Sequence, residues 1–192
     1  QDLWDRVQHK LQQAARRGRG RTPGAADPPL LMGTLFDDTC DRLTPTHCTK
    51  AGRRHRYYVS NLLIAGGPDP TAWRLPARTL EKSIVSLIAE HLENAASERR
   101  LLATPDLRDD AARQQAVGDL AQKLRSEEPD LLYALLISGT IAPKDVRLRL
   151  DEKALTARLG VPTKDLAADL CDIRAEILLR RRGVEASGRK RQ

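Results

Sequence analysis

Residues 42–60 read RLTPTHCTKAGRRHRYYVS, and this stretch decides how the first half of the chain folds. Two runs, Arg42–Lys50 and Arg53–Ser60, flank the dipeptide Ala51-Gly52. Runs of this length and composition around a tight turn predict two antiparallel strands. Pro45 has no backbone N–H to give to a central ladder, so the first run is expected at a sheet edge or a bulge. The second run is basic at its start and aromatic at its end.

Residues 31–36 are short and apolar and are followed by the polar turn at 37–41, so they are predicted to form the first strand of the same unit. The segment is therefore interpreted as a three-stranded antiparallel β-ribbon of about thirty residues. A sheet this small is marginal by itself, so a helix or a metal is expected to cover one face.

The rest of the chain is mostly helical by pattern, and the fold class is predicted to be α+β. Apolar residues recur every three or four positions, which is typical of amphipathic helices. Helices are predicted over 2–15, about 77–96, about 109–126, 129–138, 154–159 and 166–179, with an alternating strand at 146–150 and a Gly/Pro-rich linker at 18–29. The two long central helices are expected to pack as a helical hairpin.

Composition and charge limit the function. The chain has 192 residues, 33 Lys and Arg against 26 Asp and Glu, and a net charge of +7. Residues 1–78 hold 13 basic and 7 acidic side chains and residues 171–192 hold 7 and 3, so the positive charge lies at both ends. Such a chain prefers polyanions, usually nucleic acid. The aromatic content of 3% argues against a base-stacking RNA surface and against one large core.

Other classes are disfavoured by what the sequence lacks. No run approaches the ~18 apolar residues of a membrane span, and no secretory signal is recognisable, so a cytoplasmic location is predicted, nucleoid-associated when DNA is bound. Cys40, Cys48 and Cys171 are then expected to be reduced thiols, a Cys40–Cys48 bridge being the minor alternative. Gln1 is not a natural translation start, so a fragment or a processed piece is expected.

The basic-aromatic strand is the strongest candidate site. Its arginines can neutralise phosphates while the ribbon enters a DNA groove or lies along the backbone. The alternative is an exposed strand with solubilising charge and two core tyrosines. The predicted DNA-binding residues are Arg53, Arg54, Arg56 and Tyr57, assisted by Lys50, Arg16, Arg17, Arg19 and Arg21. The basic triplet at 180–182 allows either further phosphate contact or simple favourable placement at a helix end.

A metal site is the second candidate, and the spacing argues against it. Zinc needs about four converging N or S ligands. The candidates Asp37, Cys40, His47, Cys48 and His55 include only one sulfur in the first turn, and neighbours on a strand point to opposite faces. No metal and no other cofactor are expected. No nucleotide-binding or hydrolase motif is present either, so no catalytic residue and no small-molecule substrate are predicted.

Several stretches together resemble a known family. Gly33–Asp37, Arg42–His47 and Gly52–Ser60 are similar to the C-terminal region of bacterial large serine recombinases, in the resolvase/invertase superfamily. The flanking segments at 3–11, 73–77, 146–160 and 179–185 also look similar, and their order covers most of the chain. The ribbon motif is fairly specific, whereas the helical segments are not.

The resemblance implies the DNA-binding part of an enzyme of mobile genetic elements that integrates, inverts or resolves DNA. It implies four regions: the end of a recombinase helical domain with a basic linker at 1–22, a degenerate zinc ribbon at 29–65, a helical hairpin at 75–138, and a strand-helix segment with a basic tail at 139–192. Only Cys40 falls where the family has a zinc ligand. The catalytic domain with its nucleophilic serine has no counterpart, so this chain alone is not expected to cleave DNA.

Two other functions stay open. Leucine-rich faces on the central helices, at Leu80, Ile84, Leu87 and 131–136, allow pairing with a second copy, with the basic ends only solubilising the protein. Burial of the same faces inside one monomer is the simpler alternative. A metal-dependent enzyme is the weakest hypothesis, because no converging ligand set is recognisable.

Overall fold

The computed structural model describes residues 29–66, 71–104, 106, 108–126 and 128–176. The predicted N-terminal helix, residues 18–28 of the linker, the arginines at 16–21, the end of the last predicted helix at 177–179, the basic triplet at 180–182 and the basic tail lie outside these ranges. The elements in chain order are β1 (Leu35–Asp37), β2 (Leu43–Lys50), β3 (Arg53–Ser60), α1 (Asn61–Ala65), β4 (Arg74–Pro76), α2 (Ala77–Ser97), α3 (Asp110–Arg125), α4 (Pro129–Leu135), β5 (Leu136–Ile141), β6 (Asp145–Leu150), α5 (Glu152–Leu159), a 3₁₀ turn (Thr163–Asp165) and β7 (Asp172–Glu176). The α+β prediction is confirmed.

The predicted antiparallel sheet is present, with the strand order β2-β3-β4. Strands β2 and β3 pair along their whole length, from Leu43 opposite Ser60 to Lys50 opposite Arg53. Pro45 lies in β2, the edge strand, as its missing donor requires. The third strand is β4, which pairs with only three residues of β3, Tyr57 to Val59.

The first predicted strand was assigned to the wrong sheet. Strand β1 pairs in parallel with β5, Leu35 lying opposite Gly139, and joins a four-stranded sheet of order β1-β5-β6-β7. Its link to the ribbon is one antiparallel bridge between Phe36 and Arg42. The polar turn at 37–41 turns the chain from one sheet into the other, with Cys40 in the left-handed region at φ 63°.

Strand β5 begins where a helix was predicted to continue. The helix predicted over 129–138 ends at Leu135, because the following residues pair with β1 on one side and β6 on the other. Gly139 is required there by packing. A Cβ at this position would lie 2.7 Å from a methyl of Leu35 and 2.8 Å from a methyl of Leu148.

Helix α2 packs against α3 and against strands of both sheets. The predicted helices over 77–96 and 109–126 are confirmed as α2 and α3, and they pack against each other. The core is one cluster that extends from Leu31 to Ile173, so the expectation against a large single core was wrong. Aliphatic side chains supply most of it, and Trp73 and Tyr58 are its largest fully buried members.

The helix predicted over 166–179 is wrong where the structure describes the chain, up to residue 176. Residues 172–176 form β7, in which Ile173 is buried between exposed Asp172 and Arg174. Apolar spacing of three and four around 166–173 suggested a helix, but the local alternation pairs with β6 instead. The strand at 146–150 and the helix ended by Gly160 are confirmed as β6 and α5, with Gly160 in the left-handed conformation at φ 66°.

Candidate nucleic-acid interface

The β2-β3 hairpin ends in a two-residue turn of the type that β-hairpins favour. Ala51 and Gly52 both have positive φ, 49° and 74°. Left-handed values at both central positions are typical of a type I′ turn, whose twist matches that of the two strands. The turn therefore fixes a register in which Lys50 lies opposite Arg53 and Cys48 opposite His55.

Burial divides the hairpin into a root and a tip. At the root, Leu43, Tyr58 and Ser60 have no exposed surface. Toward the turn, Lys50 and residues 53–55 are exposed, and β4 does not extend beside them. The hairpin tip, defined as residues 47–55, therefore projects from the packed body.

Every charged side chain of the tip is basic. Residues 42–60 contain five Lys or Arg, two His and no Asp or Glu. Lys50, Arg53 and Arg54 form no ion pair within the described ranges. Three exposed cations without a carboxylate partner among the described residues give the tip a positive potential that attracts anions.

Strand alternation places these charges on both faces of the tip. Lys50 and Arg53 share one face, which also carries Tyr57, and Arg54 lies on the opposite face. The guanidinium of Arg74, from β4, lies 4.6 Å from the centre of the Tyr57 ring. Arg74 is exposed and extends this cationic face toward the root.

Arg56, a predicted DNA contact, occupies a different environment. Its Nη2 donates to Oε2 of Glu81 on α2 at 2.8 Å, and only 17% of its side chain is exposed. Glu81 is itself 5% exposed. Breaking a buried ion pair by removing one partner typically costs about 3–5 kcal/mol, because the other charge stays buried. Arg56 is therefore held at the root.

Tyr58 completes the contacts of Glu81. The Tyr58 hydroxyl donates to Oε1 of Glu81 at 2.7 Å and accepts from the backbone N–H of Leu31 at 2.9 Å. Burial, followed by the charge of Glu81, raises the pKa of Tyr58 far above its ordinary value, so the hydroxyl keeps its proton. The backbone N–H of Leu30 donates to the same Oε1 at 3.1 Å.

The five residues considered as metal ligands do not converge. Asp37 is fully buried and accepts hydrogen bonds from Thr39, Asp41 and Ser60. Cys40 is an exposed free thiol in the turn, and His47 and His55 lie on opposite faces of the hairpin. Across the part of the chain that the structure describes, no three His, Cys, Asp or Glu side chains are grouped as metal ligands.

All three cysteines are free thiols. Cys171 is half-buried, and burial together with the nearby carboxylates raises its pKa to about 11. None of the described helices is long and apolar enough to cross a membrane.

Two residues of the candidate site, Arg74 and Glu81, were not predicted from the sequence. Arg74 carries no local signal, because its place beside Tyr57 depends on the pairing of β3 with β4. Glu81 does have a local sequence signal, because it lies between Leu80 and Ile84 in the apolar stripe of α2. A charge on such a stripe needs a buried partner.

No protein-family model matches this chain, and no curated protein or solved structure gives a significant match.

Proposed function

We propose that this chain is the DNA-binding C-terminal portion of a site-specific serine recombinase, and that its hairpin tip is a contact with double-stranded DNA. One observation carries the DNA part of the proposal: a projecting two-stranded hairpin without acidic residues, whose three exposed cations form no ion pair with any described residue. The recombinase part rests on the sequence resemblance. The protein then acts in the cytoplasm without a metal, and it does not cleave DNA by itself.

The shape of the tip suits duplex DNA. Counted from the turn, residues 47–50 of β2 and 53–56 of β3 each span roughly 13 Å. The major groove of B-DNA is about 12 Å wide and admits a two-stranded β-ribbon. Cations on both faces, Arg53 and Lys50 on one and Arg54 on the other, can then meet phosphates on both sides of the groove.

The proposed contacts differ from the sequence prediction at Arg56 and Tyr57. Lys50, Arg53 and Arg54 contact phosphate, whereas Arg56 remains with Glu81, because the buried carboxylate would otherwise lose its charged partner. Tyr57 supports Arg74 on the same cationic face. The arginines at 16–21 remain predicted contacts outside the described residues.

The test is DNA binding measured by fluorescence anisotropy at 50 and 200 mM salt. Each neutralised phosphate contributes about −0.9 to the slope of log K against log salt. Three tip contacts account for a roughly 40-fold loss of affinity across this range, and one contact for about 3.5-fold. Replacing Arg53 and Arg54 with Ala should therefore flatten the slope by roughly 1.8.

The matched control removes two exposed arginines elsewhere, Arg158→Ala with Arg174→Ala on α5 and β7. It lowers the net charge equally, so a smaller change in slope than for the tip variant shows a local contact. Equal slopes for the two double variants would refute the tip as the DNA contact.

The self-association alternative gains no support from the packing. Leu80, Ile84, Leu131 and Leu136 are at most 4% exposed within the single chain, and only Leu87 of the stripe is half-buried. It stays a prediction that light scattering over a range of concentrations would test.

A further inference from the structure

The root of the hairpin holds a buried ion pair that the contact with DNA does not use. We propose that Arg56 and Glu81 are positioning residues: their ion pair fixes the angle at which the cationic tip leaves the body. The inference rests on the proposed function, because the tip that it orients is the proposed DNA contact. It adds a role for two side chains that would touch no DNA.

The geometry places this pair at the boundary between the packed and the projecting part of β3. Glu81 receives hydrogen bonds from three donors: Arg56 and Tyr58 of β3, and the backbone N–H of Leu30. One carboxylate on α2 thus joins the strand to the central helix and to the segment before β1. The next residues toward the tip, 53–55, are exposed.

Hydrogen bonds at Arg56 and Tyr58 can fix the direction of β3 because they are directional. Tyr58 and Arg56 lie two residues apart on the core-facing side of β3, so their bonds to one carboxylate hold two points along the strand. Two fixed points define a direction, whereas an apolar contact of the same size is non-directional. A pre-oriented tip loses less conformational freedom when it binds.

The first test uses Glu81→Gln, because the two possible roles of Arg56 predict opposite changes in DNA affinity. If Arg56 were a phosphate contact held back by Glu81, removing the negative charge would tighten DNA binding. As a positioning pair, its loss weakens binding, by roughly three- to tenfold, because the tip must be ordered on contact. The control is Glu90→Gln, an exposed carboxylate on the same helix, which changes the charge equally. Tighter binding by Glu81→Gln than by Glu90→Gln would overturn the proposal.

A second variant measures the salt slope. Arg56→Met combined with Glu81→Gln removes both charges and retains an acceptor for the Tyr58 hydroxyl. The expected slope equals that of the wild-type chain, with a weaker affinity at every salt concentration. A slope flattened by about 0.9 would mean that Arg56 does contact a phosphate, and the proposal would be wrong.

Two further measurements distinguish a positioning role of the Arg56–Glu81 pair from a role in overall stability alone. Stoichiometric titration gives the fraction of each preparation that binds DNA. If Glu81→Gln only unfolds part of the protein, this fraction falls while the affinity of the folded remainder is unchanged. That result would contradict the positioning role. Amide hydrogen exchange at 53–56 should speed up in Glu81→Gln while the four-stranded sheet keeps its protection. Unchanged exchange at 53–56 would also contradict it. If the wild-type chain binds no DNA, the proposed function fails, but the exchange measurement still tests the positioning contact.

Discussion

Asp37 gives the sharpest test of how the root of the hairpin is held. Its carboxylate is fully buried, and Oδ1 accepts from the N–H and hydroxyl of Thr39, at 3.0 and 2.6 Å, and from the N–H of Asp41 at 2.9 Å. Oδ2 accepts from the Ser60 hydroxyl at 2.6 Å. The same Ser60 oxygen accepts from the N–H of Trp73 at 2.8 Å. One side chain therefore connects the turn before β2 with the end of β3 and the approach to β4.

The replacement Asp37→Ala should be strongly destabilising. The hydroxyl of Ser60, which has no exposed surface, would lose its acceptor, and an unsatisfied buried donor costs about 1–3 kcal/mol. The bonds to the turn are charge-assisted and contribute further, so a total loss of about 3–5 kcal/mol is expected. This is a large share of the ~5–15 kcal/mol by which domains are stable.

Urea denaturation followed by tryptophan fluorescence measures this loss, since Trp73 is fully buried. Asp119→Ala, at an exposed position on α3, should leave the midpoint unchanged and serves as the control. Asp37→Ala with Ser60→Ala should cost less than the sum of the single variants, because the two groups share one hydrogen bond. A loss below about 1 kcal/mol for Asp37→Ala would refute the assignment of Asp37 as the connecting group.

Three further outcomes are expected. Ala51→Asn should raise the free energy of unfolding by about 0.5–1 kcal/mol in the same denaturation assay, because Asn tolerates the left-handed conformation better than Ala beside Gly52; a lower midpoint would contradict the type I′ turn. Gly139→Ala should lower it by about 1–3 kcal/mol through overpacking, and an unchanged midpoint would show that the neighbouring leucines yield freely. Alkylation of Cys171, mapped by mass spectrometry, should be slow at pH 8, and its rate should rise about tenfold per pH unit up to the pKa of about 11. Exposed Cys40 should react readily at pH 8. Equal rates for the two thiols at pH 8 would refute the burial of Cys171.

Local sequence was sufficient wherever neighbouring residues set the structure. The strands on either side of Ala51-Gly52 and the edge position of Pro45 follow from turn chemistry and from a missing donor. The helices α2 and α3 follow from apolar spacing. The cationic character of the tip is likewise a property of residues 42–60 themselves.

Tertiary structure alone decided which strands meet and which arginines are free. Leu35 pairs with Gly139, about a hundred residues away, and no local pattern contains that information. Arg54 and Arg56 are alike in the sequence and lie on the same face of β3, yet one is exposed and the other is bound to Glu81. The difference arises because α2 packs against the root of the hairpin and does not reach Arg54. The helix, and not the strand itself, therefore decides which arginine stays exposed.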